Sequence, residues 1–186
     1  MKKLFYALIA VGLLLACNNK KSEEKTSGEK TGEKKTMDNI TYPYTAAYSS
    51  DMALGDPNHS KIVLDMIKCW ENNKMQDMRA LLYDTVNCTF ADGSKFSGSP
   101  DSLIKMGQMY RDMYTNVTIK LDAWMPVHLN DRNEDHVLVW ERDYTTDKNG
   151  KIDSLASHAH YEIRNNKIAG WGEYQAKMTP PAEMNK

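Results

Sequence analysis

The sequence lacks the short motifs by which many enzyme classes are identified. Its 186 residues contain no glycine-rich phosphate loop, no G-x-S-x-G turn and no H-E-x-x-H helix. These absences remove the usual sequence support for a nucleotide-binding enzyme, an α/β-hydrolase or a zinc protease. The formal net charge is −1, and no basic cluster stands outside residues 18–36. A nucleic acid is therefore not an expected partner.

Cysteine is also scarce, and the three cysteines form no spacing motif. Cys69 and Cys88 are too far apart for a C-x-x-C pair, so the sequence predicts neither a redox motif nor a zinc ribbon. In an exported protein these two could form one disulfide, and they could equally be small buried apolar residues. The sequence leaves both alternatives open. It predicts no cofactor.

The N-terminus has the features of a targeting segment. A basic "MKK" precedes the apolar run "LFYALIAVGLLLA", which is too short to span a bilayer comfortably and is followed by Cys17. The ending Leu14-Leu15-Ala16-Cys17 resembles a bacterial lipobox, in which residues 1–16 are removed and the Cys17 thiol carries a diacylglyceryl group. We therefore predict a lipid-anchored protein of the bacterial cell envelope, either periplasmic or surface-exposed.

Composition divides the rest of the chain into four parts. After Cys17, residues 18–36 contain no apolar side chain to bury, so 17–36 is predicted to be a disordered tether. Residues 37–57 carry three tyrosines and two prolines, and we expect an arm lying on the domain surface. The folded domain is predicted over 58–178, followed by a C-terminal tail over 179–186.

Within the domain, the apolar periodicity changes from helical to strand-like along the chain. Asp56 and Pro57 mark the start of a first helix, and "MQDMRALLY" predicts a short second one. The segment "TVNCTFADG" alternates as a strand that ends at an Asp-Gly turn. A third helix is predicted over about 99–114, and four long strands follow it. This order is typical of an α+β fold with helices on one face of a curved antiparallel sheet.

The same order of elements resembles the NTF2-like superfamily, in its SnoaL-like branch. The resemblance covers about residues 58–178, and its most characteristic piece is the final hairpin "HYEIRNNKIAGWGEY". It implies a cone-shaped half-barrel in which three N-terminal helices pack on a curved antiparallel sheet around a cavity. Members use that cavity as an active site, as a small-molecule pocket or only as a core, and many dimerise. A homodimer is thus one expectation for this chain.

The candidate pocket is made of large apolar and aromatic side chains, with Asp92 and Tyr110 as polar groups. Methionine and aromatic stripes at helical spacing are more often core than ligand site, but in a cone-shaped fold the cavity floor is also the core. We expect a small apolar molecule as ligand. The predicted lining residues are Met66, Trp70, Phe90, Asp92, Met106, Tyr110, Trp140, Tyr161 and Trp171.

Strand parity decides how the motif "SHAHYEI" is interpreted. Ala159 and Tyr161 share one face of the predicted strand and His158 and His160 the other, because successive side chains alternate. The apolar face should turn to the cavity, which leaves the histidines outside. Two alternatives remain: a metal site at the two histidines, and a bulge that turns one histidine inward.

The steroid-isomerase-like members imply a catalytic set that this chain does not reproduce. Their protonated aspartate corresponds to Ala159, and the inward positions of the first strand hold Cys88 and Phe90. Glu141 and Asp143 share a strand face, and we expect them to be solvent-facing or paired across strands. The alternative is a buried pair in the pocket that serves in acid–base chemistry. The sequence thus favours a non-catalytic domain that binds a small molecule or a protein. The alternative is a SnoaL-type isomerase, cyclase or dehydratase, with Asp92 or a histidine as base.

Overall fold

The computed structural model describes residues 41–180. Residues 44–180 lie within one compact unit. The predicted signal peptide, Cys17, the tether and the end of the C-terminal tail lie outside the described residues. No helix in the described range is both long enough and apolar enough to cross a membrane.

Seven strands form one sheet, and the helices lie between strands early in the chain. The order across the sheet is β1-β4-β5-β6-β7-β2-β3. Every neighbouring pair is antiparallel except β2 and β7, which run parallel. The elements are β1 (Met52–Leu54), α1 (Pro57–Glu71), a 3-10 helix (Met75–Ala80), β2 (Leu82–Thr89), β3 (Lys95–Gly98), α2 (Pro100–Arg111), β4 (Tyr114–Leu129), β5 (Glu134–Asp147), β6 (Ile152–Arg164) and β7 (Lys167–Lys177).

Both α-helices begin where the sequence predicts. The Asp56 side chain accepts a hydrogen bond from the backbone N–H of Asn58 at 2.8 Å, and Ser99 caps α2 in the same manner. In each helix a proline follows the cap, where its missing N–H leaves no hydrogen bond unmade. The capping residues therefore fix the start of both helices.

The arrangement of the helices differs from the predicted set of three N-terminal helices. The described chain has two α-helices and one 3-10 helix, and strands separate them. β1 forms within the predicted arm because Met52–Leu54 pairs with the end of β4. β3 forms because the turn at Gly93, with φ of 82°, folds the chain back onto β2. Local pattern alone did not indicate either short edge strand.

The two faces of the sheet have different environments. Val137, Val139, Ala159 and Tyr161 are all buried and belong to the core that packs on the helices; we call this the inner face. The intervening side chains of β5 and β6 lie on the opposite, outer face, which includes His158. The parity prediction for the histidine motif is confirmed.

Two local features hold β7 in place. The hairpin from β6 turns at Asn165-Asn166, where both φ angles are positive, and the ring nitrogen Nε2 of His59 lies 3.2 Å from the Asn166 side-chain oxygen. Farther along β7, a Cβ on Gly170 would lie 2.0 Å from the backbone oxygen of Asn87. Only glycine allows β2 to approach β7 this closely.

The cysteine alternatives are also resolved. Cys69 and Cys88 are both free, with Cys88 buried in the core. Burial raises the pKa of the Cys88 thiol to about 12, so it is a small apolar core residue and not a reactive thiol.

Candidate functional site

Three carboxyl groups lie on the inner face of the sheet. Glu141 and Asp143 follow the core valines of β5 at the same parity, and Glu173 of β7 is the cross-strand neighbour of Ala159. The strand between them, β6, presents only Ala159 and Ser157 at this level. The carboxyl groups of β5 and the carboxyl group of β7 thus flank two small side chains of β6. We call Glu141, Asp143 and Glu173 the carboxylate site.

The position of Glu141 and Asp143 corrects the expectation from sequence. Side chains two residues apart on a strand share a face, and Val137 and Val139 fix that face as the inner one at 0% and 1% exposure. The cross-strand neighbours of Glu141 and Asp143 on β6 are Ser157 and Leu155, so neither carboxyl group faces a cation. Both carboxyl groups are largely removed from solvent, and within residues 41–180 neither is paired with an opposite charge.

The hydrogen bonds of the carboxylate site are incomplete. The Ser157 hydroxyl donates to Oδ2 of Asp143 at 2.5 Å. Oε2 of Glu141 and Oδ1 of Asp143 are buried without any hydrogen-bond partner among the residues described. Buried polar groups are normally paired, because leaving one unpaired costs about 1–3 kcal/mol. These two oxygens are therefore available for a donor that is not part of the described chain.

Burial raises the pKa of all three carboxyl groups, and repulsion by neighbouring carboxylates adds to the rise at Glu141 and Glu173. Burial, followed by the negative charges of Asp143 and Glu173, raises the pKa of Glu141 to about 8. Burial also raises the pKa of Asp143, although the Ser157 hydrogen bond acts in the opposite direction. The pKa of Glu173 is raised by burial and then by the charges of Asp143 and Asp92. Carboxyl groups with raised pKa values can serve as proton donors or acceptors in acid–base catalysis.

An aromatic wall stands beside the carboxyl groups. Tyr161 is 5% exposed, and its pKa is raised well above the ordinary value by burial and then by the charges of Glu141, Glu173 and Asp143. Its ring centroid lies 6.0 Å from that of Trp171, which meets Phe90 edge to face at 6.3 Å. The site thus combines acidic oxygens with apolar and aromatic surface, as small-molecule sites commonly do.

Two lysine side chains, one on β7 and one on α1, are engaged by acidic partners outside the carboxylate site. Lys177 of β7 lies across from Leu155, and its Nζ binds the carboxylate of Asp153 at 3.1 Å. On α1, Lys68 pairs with Glu71. Both of these cations already have an acidic partner of their own.

Solved structures provide the comparison that sequence does not. No protein-family profile matches the chain, and no curated protein sequence is similar to it. An LEH-like epoxide hydrolase of M. tuberculosis is 12% identical with a TM-score of 0.55, over 64% of this chain and 84% of that one. A Catenulispora acidiphila protein of ketosteroid isomerase-like fold, in complex with trimethylamine, is 14% identical with a TM-score of 0.51, over 61% and 84%. An NTF2-like protein of unknown function from Burkholderia pseudomallei is 14% identical with a TM-score of 0.53, over 64% and 91%.

The chain has an NTF2-like fold. The sheet is curved, unclosed and mainly antiparallel, as the resemblance in sequence implies. At these identities the likeness shows the fold and not the activity.

Six of the predicted pocket residues lie in or against the core of the NTF2-like domain. Met66 is buried, and Trp70 and Met106 pack against the core from the helices. Phe90, Tyr161 and Trp171 form the aromatic wall described above.

The other three predicted residues lie elsewhere in the NTF2-like domain. Tyr110 is 56% exposed near the C-terminal end of α2. Trp140 lies on the outer face, since its neighbour Val139 points inward. Asp92 sits in the exposed turn after β2, where its side chain accepts from the backbone N–H of Ser94 at 2.8 Å. It contributes only through its charge on Glu173.

The histidines belong to the outer face of the NTF2-like sheet. Nδ1 of His158 donates to the carbonyl of Val139 at 3.0 Å, and its ring stacks on Trp140 at 4.7 Å. Burial, followed by the charges of His136 and His158, lowers the pKa of His160. In residues 41–180 no group of three His, Cys, Asp or Glu side chains is placed to hold a metal ion. The histidine motif therefore lies on the other side of the sheet from the carboxylate site.

Sequence reasoning missed Glu173 and Ser157, although the signal was present. In "GWGEY", Glu173 follows Trp171 by two residues, so a prediction that Trp171 points inward also places Glu173 inward. Ser157 has the same parity as Ala159 and Tyr161. Extending the parity rule from the aromatic residues to their polar neighbours would have found the site.

Proposed function

We propose that this chain is an acid–base catalyst that acts on a small organic molecule at the carboxylate site. The observation that carries the proposal is the pair Glu141 and Asp143, each with one buried oxygen that lacks a hydrogen-bond partner among the described residues. Such a pair lowers the stability of the fold, and a cost of this kind is expected to persist where function requires it. The proposed activity is of the same class as the SnoaL-type alternative considered from the sequence, but Glu141 and Asp143 replace Asp92 or a histidine in the catalytic roles.

The two carboxyl groups have different roles. Glu141, with a pKa of about 8, holds its proton at neutral pH and can donate it. Asp143 accepts the Ser157 hydrogen bond, which opposes the rise that burial causes in its pKa, and we assign Asp143 the role of proton acceptor. When Glu141 is ionised it becomes the stronger base, because basicity rises with pKa.

Two further observations support a small-molecule substrate. Phe90, Tyr161 and Trp171 offer the apolar contact that the sequence predicted for a ligand. One solved structure of this fold is described as an epoxide hydrolase and another as having a ketosteroid isomerase-like fold. Binding of an apolar molecule without chemistry would not need three carboxyl groups beside these rings, and for that reason we place catalysis first.

A nitrobenzisoxazole is a direct test, because it needs only a desolvated base. The base removes the ring C–H proton, the N–O bond breaks and a coloured cyanophenolate is released. We expect the rate to rise with pH through about 8, as Glu141 ionises. Glu141→Gln should lower the rate at pH 9 by at least about 100-fold. Asp143→Asn should move the midpoint to lower pH, because the Asp143 charge contributes to the raised pKa of Glu141.

The matched control is Glu162→Gln. Glu162 lies on the outer face of β6, where Arg164 binds it at 2.7 Å, so this substitution should leave the rate and its pH midpoint unchanged. Equal rates for the wild type and Glu141→Gln across the pH range would contradict the proposal.

We also propose that the catalytic domain is held at a bacterial membrane by a lipid on Cys17. The support is the lipobox-like sequence and the polar composition of residues 18–36. In a bacterial host, Cys17→Ser should move the protein from the membrane pellet to the soluble fraction, because the acyl chains supply the anchoring. Cys69→Ser serves as the control. A Cys17→Ser protein that still sediments fully with membranes would overturn this proposal.

A further inference from the structure

The carboxylate site gathers three acidic groups, and no cation among the described residues is paired with them. Glu141, Asp143 and Glu173 share the inner face, while Lys177 and Lys68 are bound to Asp153 and Glu71. A cluster of this kind is stabilised by a cation placed among its members, because opposite charges attract strongly where water is excluded.

The unpaired oxygens specify what such a cation must carry. Oε2 of Glu141 and Oδ1 of Asp143 are acceptors without donors. An ammonium group bearing N–H donors would satisfy both charge and hydrogen bonding, whereas a quaternary ammonium would satisfy charge alone. An alcohol would supply a donor without charge.

Tyr161 borders the three carboxyl groups on the inner face. Its side chain is more than nine-tenths buried, it lies beside Ala159 on the inner face, and all three carboxylates of the site act on its hydroxyl. Its ring, with Trp171 and Phe90, offers the faces that attract cations and the apolar surface that attracts a hydrocarbon body.

We infer that the substrate of this site is a protonated primary or secondary amine with an apolar or aromatic body. This inference rests on the proposed function of the same site. The ammonium group lies between Glu141 and Asp143, over the small side chains of Ser157 and Ala159. The apolar body lies against the aromatic wall.

Amine binding releases a proton. Glu141 is protonated in the free protein at neutral pH, and an ammonium group beside it favours the ionised form. One ammonium therefore enters as one proton leaves to solvent, and the net charge of the complex equals that of the free protein. Affinity should rise with pH from about 6 to about 8 and follow the ionisation of Glu141. The titratable groups facing Glu141 are Asp143 on β5, Tyr161 on β6 and Glu173 on β7.

Titration calorimetry of the full chain in detergent tests this with three ligands: phenethylammonium, phenethyl alcohol and benzyltrimethylammonium. We expect phenethylammonium to bind about 10- to 100-fold more tightly than phenethyl alcohol, with benzyltrimethylammonium between them. At neutral pH the heat of binding should change with the ionisation enthalpy of the buffer, which reports the released proton. Glu141→Gln should remove that buffer dependence, and Asp143→Asn should weaken amine binding by about tenfold or more.

Glu162→Gln is again the control and should bind all three ligands as the wild type does. Equal affinity for phenethylammonium and phenethyl alcohol, or no binding of the amine, would overturn the amine inference. If benzisoxazole ring opening survived in that case, the proposed catalysis would stand without it. Amine binding in a protein that does not open the ring would instead support the inference on ligand class and remove the catalytic proposal.

Discussion

Replacing Glu141 with glutamine should make the folded protein more stable at alkaline pH. The carboxyl group has a pKa of about 8 in the folded chain, against 4.5 as its ordinary value. Between these values the folded state binds more protons than the unfolded state, so the free energy of unfolding falls as pH rises through this window. Above pH 8 the full penalty is present, and it amounts to as much as about 5 kcal/mol. Glutamine has nearly the same shape and no charge, so it removes this penalty.

The measurement is denaturant unfolding of the wild type and Glu141→Gln at a series of pH values. The two curves should coincide near pH 4.5, where the carboxyl group is neutral in the folded protein, and separate as pH rises. Glu162→Gln, on the exposed side of β6, should change stability by less than about 1 kcal/mol at every pH. Wild-type stability that stays constant from pH 5 to 8 would show that Glu141 is not desolvated as described.

This behaviour is the reverse of that of most carboxyl groups, which stabilise a protein as they ionise. Raised pKa values at Glu141, Asp143 and Glu173 all act in the same direction. A neutral replacement of similar shape at each of these positions should remove the corresponding penalty at alkaline pH. Residues that oppose stability are expected where function requires them, because selection for activity tolerates a local cost.

Much of the fold depends on local interactions that can be recognised from residues close together in the sequence. The capping residues Asp56 and Ser99 fix the start of both helices. The Asn165-Asn166 turn fixes the last hairpin, and its register sets which residues of β6 and β7 face inward. Parallel pairing of β2 with β7 was not predictable in this way, because it depends on the absence of a side chain at Gly170 and on contacts distant in sequence.

The site was harder to predict, because polarity and parity gave opposite indications on β5. Trp140 is apolar and Glu141 is charged, so average behaviour placed the tryptophan inside and the glutamate outside. The structure does the opposite, because Val137 and Val139 fix the inner face of the strand. Average preferences for burial describe residues that only stabilise a fold. They fail at Glu141 because this carboxyl group is buried with a raised pKa, and the same property makes it a candidate for function.

The second large effect is expected at Arg111, the last residue of α2. Arg111 is 6% exposed, and its guanidinium group donates to the carbonyl oxygens of Trp70, Glu71 and Tyr114 at 3.0–3.1 Å. One side chain thus joins the end of α1, the end of α2 and the start of β4. We expect Arg111→Met to lower the free energy of unfolding by about 3–5 kcal/mol, because three buried carbonyls lose their donor and the C-terminus of α1 loses a favourable charge.

Arg79→Met is the matched control for the same measurement. Arg79 pairs with Asp101 at 2.8 Å, but both side chains are exposed, and such pairs contribute less than about 1 kcal/mol. A similar loss in both variants would mean that the Arg111 bonds are no stronger than a surface ion pair.

The comparison also bears on the site, since β4 leads from Tyr114 to Ile119, the cross-strand neighbour of Asp143. If Arg111 fixes the start of β4, then Arg111→Met should impair benzisoxazole ring opening even at temperatures where the protein remains folded. Arg79→Met should leave it intact.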